Sequence, residues 1–315
     1  MKNKEPVPDM ADELDIEEEQ FCDDNDSIDS NSSTASETLP ETVPEIITMS
    51  FHPNPSSVWN VIGASVQGTS HIRRGVLCQD AHDYRWVNEE LVVLAVADGL
   101  GSASLSQEGA QRATQTATEA IEEFIQQKSA ATESTWEEAV KYGFQKARSD
   151  LEEWSEINRL PLQVYGTTLI LVCVNAECLS IGHIGDGAVV ALFADGTLST
   201  VSVPQNGEYV NQTFALTQDD ALESVQLNVS SSEVYALAIF SDGIQNLSIN
   251  HQSSQPFSNF FIPLFKQLST IEDCRIVSQS LGDFLASDRV CAKTDDDKTL
   301  VLIGRKDIEM PEISI

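Results

Sequence analysis

Two hydrophobic rhythms divide the chain. Short, nearly continuous apolar runs rich in branched side chains read as strands buried on both faces, at 58–65, 91–97, 167–174, 179–184, 188–193, 235–241 and 299–303. Between the second and third runs the period changes to that of a helix. Ala110, Ala113, Ala117, Ile121, Phe124 and Ile125 share one face, and Trp136, Val140, Phe144, Ala147, Leu151 and Trp154 share another, which ends before Pro161. The tryptophan and phenylalanine positions of that second stripe read as core. A further helical region spans 262–285, and Asp195-Gly196 turns the chain into a strand at 197–203. Adjacent short strands imply antiparallel meanders, and helices gathered early and late make the class α+β. Two stacked antiparallel β-sheets flanked by α-helices bury both faces of each sheet.

The first 55 residues obey neither rhythm. Glu17-Glu18-Glu19, Asp23-Asp24, Asp26 and Asp29 lead into Ser30-Asn31-Ser32-Ser33-Thr34 and then Pro40, Pro44, Pro53 and Pro55. Like charge with few large apolar groups does not offset the entropy of ordering, so 1–55 is expected to be a disordered acidic tail. The folded domain is placed at 56–306, with a C-terminal tail at 307–315. Fifty acidic residues against 18 basic ones give a formal charge of -32. That balance argues against nucleic acid and anionic membranes as partners. The start of the chain has no signal-like apolar stretch and no run is long enough to span a bilayer, so a cytoplasmic location is expected. Six cysteines without C-x-x-C pairing read as free thiols of a reducing compartment.

Against this background three aspartates stand out. Asp98 and Asp242 each follow an apolar strand run, and Asp296 precedes one. Strand ends hold side chains in place, and converging carboxylates repel unless protons or a cation neutralise them. Oxygen-only ligands suit magnesium or manganese, so a hydrolytic metal site is the reading to test.

In chain order, six pieces resemble the metal-dependent serine/threonine phosphatases of the PP2C (PPM) family, in a form similar to its prokaryotic branch. They are Gly68-Thr69-Ser70-His71 with Gly75-Val76-Leu77-Cys78-Gln79-Asp80, Ala97-Asp98-Gly99-Leu100-Gly101-Ser102, Tyr165-Gly166-Thr167-Thr168, Gly182-His183-Ile184-Gly185-Asp186-Gly187, Phe240-Ser241-Asp242-Gly243-Ile244 and Asp295-Asp296-Asp297-Lys298-Thr299-Leu300. The resemblance implies a phosphoserine/phosphothreonine hydrolase that uses a metal-activated water and forms no phosphoenzyme. Asp98 would bridge two Mn2+ or Mg2+ ions, with the Gly99 carbonyl as a further ligand and Asp242 and Asp296 completing the first ion's set. Asp80 would hold water beside the ions, and Asp186 would help hold a weaker third ion. The segment 194–232 takes the place of the family's flap, and its polar composition fits a mobile surface loop.

Three departures from the family pattern matter. Gln79 stands where a glutamate is common, so an amide oxygen would serve as ligand with one charge fewer. Leu100 replaces a histidine able to protonate the leaving group. Gly75 takes the place of the arginine that grips phosphate, leaving His71 and Arg74 as candidates for that contact. The resemblance implies a phosphorylated protein substrate and a cognate serine/threonine kinase as partners. A pseudophosphatase or phosphoprotein-binding module with weak turnover is the alternative those departures keep open. Asp295 and Asp297 are expected to face solvent or cap neighbours.

Overall fold

The computed structural model describes residues 44–47, 54, 56–128, 133–205, 213–306 and 308–313. In chain order the elements are β1 (Ile46–Ile47), β2 (Trp59–Val66), α1 (Thr69–Arg74), β3 (Ala81–Trp86), β4 (Val92–Ala97), α2 (Ser106–Gln126), α3 (Glu133–Asn158), β5 (Leu169–Val174), β6 (Leu179–Ile184), β7 (Ala188–Phe193), β8 (Leu198–Ser202), β9 (Gln226–Ser230), β10 (Val234–Phe240), α4 (Gln245–Ser248), α5 (Ser258–Leu268), α6 (Cys274–Leu285), α7 (Asp288–Cys291) and β11 (Lys298–Arg305). One sheet runs β1-β2-β11-β10-β7-β8 and the other β3-β4-β5-β6-β9, with antiparallel pairing throughout. The expected α+β sandwich is what the chain builds.

Period-2 alternation sorts the apolar side chains into three layers. In β4, Val92, Leu94 and Val96 face the space between the sheets, whereas Val93, Ala95 and Ala97 face α2 and α3. In β11, Val301 and Ile303 face inward, whereas Leu300 and Leu302 meet α5 and α6. Trp136 and Phe144 sit in the α2–α3 layer, as core. Trp154 is partly buried there; its indole donates to Glu108 at 2.7 Å, with the Arg112 guanidinium 3.9 Å from the ring centre.

Several expectations need adjustment. Residues 69–74, to which the apolar pattern assigns no element, form a short helix that stops where Gly75 adopts φ 65°. The helical region 262–285 is two helices, α5 and α6, the second capped by Asp273 accepting from the Arg275 and Ile276 N–H groups. The segment 194–232 contains β8 and β9, so sheet edges occupy much of the flap's place; residues 206–212 lie outside the described residues. Most of the acidic tail also lies outside them, but β1, within it, pairs with β2. Beside β1, the Glu45 N–H donates to Gln67 Oε1 at 3.1 Å, and the Gln67 N–H donates to the Glu45 carbonyl at 2.9 Å. Gln67 Nε2 in turn donates to the Val76 carbonyl at 2.5 Å. In the C-terminal tail Met310 and Ile313 pack on the α5–α6 layer.

A close backbone approach fixes α2 against the chain that leads to β5. A Cβ on Gly109 would lie 2.1 Å from the Tyr165 carbonyl oxygen. Alanine gains about 0.8–1.0 kcal/mol in a helix over glycine, but forced overpacking costs typically about 1–3 kcal/mol. Gly109→Ala is therefore expected to lower stability by about 1 kcal/mol net in urea denaturation, against the propensity trend.

Candidate metal centre

The two sheets bring their strand ends together at one end of the sandwich. Asp98 leaves β4, Asp242 leaves β10, Asp296 approaches β11, Asp186 lies in the β6–β7 turn and Asp80 leads into β3. Because β10 and β11 pair antiparallel, the exit of one lies beside the entry of the other. Asp98, Asp186 and Asp242 each offer a carboxylate oxygen within 4.8 Å of the others, and all three are half-buried. Asp296 stands beside this trio. It shares a cavity of about 440 Å³ with Asp242, lined also by Asn246, Cys291, Lys293 and Thr294. Its charge acts on both Asp242 and Asp186.

Hydroxyls and amides hold these groups in place. The Asp98 N–H donates to Thr168 Oγ1 at 2.9 Å, while the Asp98 carbonyl accepts from the Thr168 N–H at 2.8 Å and from Thr167 Oγ1 at 3.0 Å. Ser241 Oγ donates to Asp80 Oδ2 at 2.7 Å, and Thr213 Oγ1 donates to Asp186 Oδ2 at 2.8 Å. The other oxygens of these two carboxylates, Asp80 Oδ1 and Asp186 Oδ1, are buried without a hydrogen-bond partner. Among the described residues, none of the five carboxylates lies within 4.0 Å of a lysine, arginine or histidine nitrogen. Lys298, fully buried, donates instead to the Asp296 carbonyl at 3.1 Å.

Crowded like charge in a partly dry site favours protonation. Removal from water, then the charges of Asp80, Asp242 and Asp186, holds Asp98 well above the usual carboxylate range. Removal from water, then Asp186, Asp296 and Asp80, pushes Asp242 up to about 8. Burial, then the charge of Asp297, pushes Asp80 up to about 7 against the hydroxyls of Ser241 and Thr299. Asp186 is also raised, chiefly by burial. Burial and crowding thus raise the proton affinity of all four groups, and a divalent cation would compete with those protons. An all-oxygen set of three half-buried carboxylates, with unpartnered oxygens on Asp186 and on the fully buried Asp80 beside them, fits a hard divalent cation.

The remaining candidates fall in different places. The Gly99 N–H donates to the Gln79 carbonyl at 3.2 Å, which ties the first two motifs together. His71 is buried, with Nδ1 2.8 Å from Asp297 Oδ2. Arg74 is exposed, and its Nε donates to the Ser70 carbonyl at 3.2 Å. Gly75 caps α1, and a Cβ there would meet nothing within 4 Å. Leu100 Cδ1 lies 3.1 Å from where a Cβ on Gly166 would stand. His183 is a buried strand residue whose Nδ1 lies 2.8 Å from Ser202 Oγ.

Of the two expectations for Asp297, solvent exposure fails, and the capping role extends beyond one neighbour. Asp297 is 2% exposed, and its oxygens accept the Gly68 N–H at 2.6 Å and the Gln79 N–H at 2.5 Å. The signal that finds it is strand parity: Thr299, Val301 and Ile303 face inward, and 297 continues that set. Asp295 is exposed as expected, paired with Arg73 at 2.9 Å.

The model of the protein phosphatase 2C family matches residues 67–286. Serine/threonine-protein phosphatase 3 of Escherichia coli (strain K12) is 33% identical over 251 residues, covering 78% of this chain and 97% of that protein. The structure of a bacterial serine phosphatase superposes with a TM-score of 0.55 at 13% identity, over 81% of this chain and 99% of the other. PppA, described as a key regulatory component of T6SS in Pseudomonas aeruginosa, does so at 0.53 and 15%, over 79% and 98%. At those identities the structural likeness is one of fold. The match of the family model over most of the domain, together with the E. coli relative, settles the lineage: the chain belongs to the protein phosphatase 2C family.

Proposed function

We propose that the chain hydrolyses phosphoserine and phosphothreonine in proteins, with divalent ions held between Asp98, Asp242 and Asp296. The observation that carries this reading is the convergence of Asp98, Asp186 and Asp242 without a neutralising cationic side chain. The E. coli relative, a serine/threonine-protein phosphatase, supports the substrate class. We assign two Mn2+ or Mg2+ ions to the site. Asp98 and the Gly99 carbonyl would serve both ions, Gln79 would supply an amide oxygen to the second, and Asp186 would serve a weaker third. Bound ions of this kind supply Lewis acidity, neutralising phosphate charge and lowering the pKa of water.

The protein's own groups then have separate tasks. Asp80 keeps Oδ2 on Ser241 and leaves Oδ1 without a partner, a free acceptor that suits it to orient the attacking water. Burial, with the charges of Asp80 and Asp297, pushes the Cys78 thiol well above its usual value and removes it as a competing nucleophile. Leu100 offers no proton to the leaving group, so leaving-group basicity weighs more heavily on the rate. Of the two candidate phosphate contacts, Arg74 faces solvent and is the one we assign to the substrate. We assign a phosphorylated protein and its serine/threonine kinase as partners. No described helix is long and apolar enough to cross a membrane, and the five described cysteines are unbridged. That thiol state accords with the cytoplasmic location we propose.

Asp98→Asn or Asp242→Asn is expected to lower phosphopeptide turnover by at least about 100-fold, the equivalent of several kcal/mol of lost charge stabilisation. Retained Mn2+-dependent turnover in either variant would reject the site. A phosphate-ester series supplies a second check. With Leu100 in place of an acid, aryl phosphates should outpace phosphoserine peptides by roughly 10²-fold or more, the ordinary worth of general acid catalysis. Equal rates would mean that another group protonates the leaving oxygen.

Stability against pH gives a third. Asp80 and Asp242 titrate near 7 and 8 in the metal-free fold but near 4 when unfolded. The folded chain thus binds more protons between these values, and its stability falls as pH rises through them. The melting temperature of the chelator-treated protein should drop from about pH 5.5 to 8.5, and saturating Mn2+ should reverse much of the drop. A flat profile would refute the crowded-carboxylate account.

A further inference from the structure

We propose that Asp297, backed by His71, is a positioning residue that sets the spacing between the Gln79–Asp80 segment and the Asp98–Gly99 turn, and thereby the affinity for divalent ions. The inference rests on the metal-centre reading above and adds a residue to it. Asp297 meets two separated stretches of chain, α1 and the segment that leads into Asp80. Its Oδ1 accepts the Gly68 N–H at 2.6 Å, at the start of α1. Its Oδ2 accepts the Gln79 N–H at 2.5 Å, and His71 Nδ1 closes on the same oxygen at 2.8 Å, off the ideal hydrogen-bond line. The Gln79 peptide passes the constraint on, since its carbonyl accepts the Gly99 N–H at 3.2 Å. On its other side, the Asp297 N–H donates to Asp296 Oδ1 at 2.9 Å and so orients that carboxylate.

A plain helix cap accounts for the bond to Gly68 but not for the bond to Gln79, which lies outside α1 and leads directly into Asp80. Nor does it account for the link onward to Gly99. The arrangement has the form of an outer partner that aims groups around a metal, and loss of such partners typically weakens metal binding about 10–100-fold. The two N–H donors rest on different oxygens, so an asparagine keeps one good acceptor and an alanine keeps none. That makes the proposal quantitative as a series.

The test uses the full-length chain and its Asp297→Asn, Asp297→Ala and His71→Leu variants. Calorimetric Mn2+ titration is expected to give affinities weakened about 10–100-fold in Asp297→Ala, less in Asp297→Asn, with His71→Leu also weakened. Hydrogen exchange on the metal-free proteins is expected to show faster exchange across 76–80 in the same order, with β10 unchanged. Wild-type affinity and exchange in Asp297→Ala would overturn the proposal, as would faster exchange across the whole fold. If Asp297→Ala does not fold, the other two variants decide. Weakened Mn2+ binding at an unshifted melting temperature supports the proposal, and unchanged binding overturns it. Should the wild-type chain bind no Mn2+, the metal-centre reading fails, and the anchor stands or falls on the exchange result.

Discussion

Carboxylates packed within 4.8 Å of one another repel, and everything at this end of the sandwich answers to that repulsion. Two unit charges at such a distance cost about 3–4 kcal/mol at an effective dielectric of about 20. A chain free to relax would let them separate. Here Asp98 and Asp242 are carried on strands whose side chains are buried on both faces, so moving either aspartate outward means unpacking a core layer. Packing energy, spread over many apolar contacts, outweighs a local electrostatic penalty. The penalty is stored as proton affinity until an ion relieves it.

The polar groups behind the carboxylates do a different job from the core. Thr167 and Thr168 grip the backbone of Asp98, and Ser241 and Thr213 each take one oxygen of Asp80 and Asp186. Each hydroxyl fixes direction while leaving the opposite oxygen free, which a lysine or arginine partner would not do. Lys298 illustrates the distinction: it is fully buried among acidic neighbours, yet its ammonium bonds a carbonyl rather than a carboxylate. The cluster keeps its carboxylate oxygens for ions.

Much of this could be read from the sequence, for physical reasons that also explain the omissions. Strands such as β4 and β10, buried on both sides, leave continuous apolar runs that carry no ambiguity of face. β3 escaped because Asp83 and Arg85 interrupt it; their charges are absorbed by Thr118 and Glu122 of α2, contacts with no trace in a local pattern. α1 escaped because six residues are too few to show a helical stripe. Asp98 and Asp242 were legible from their place at strand ends. Asp186 came only from the family resemblance, since nothing in its turn distinguishes it from other Asp-Gly pairs. Asp297 reads only as a solvent-facing or capping residue, because it sits within a run of three aspartates that differ only in parity.

The pairing of β1 with β2 has a mechanical corollary. Glu45 is stitched to Gln67, Gln67 holds the carbonyl of Val76, and the Glu45 carboxylate also accepts the Cys78 N–H at 3.4 Å. Cys78 is two residues from Asp80. Tension on the charged leader upstream of Ile46 would therefore be delivered to the stretch that carries Asp80, through a tether only a few bonds long.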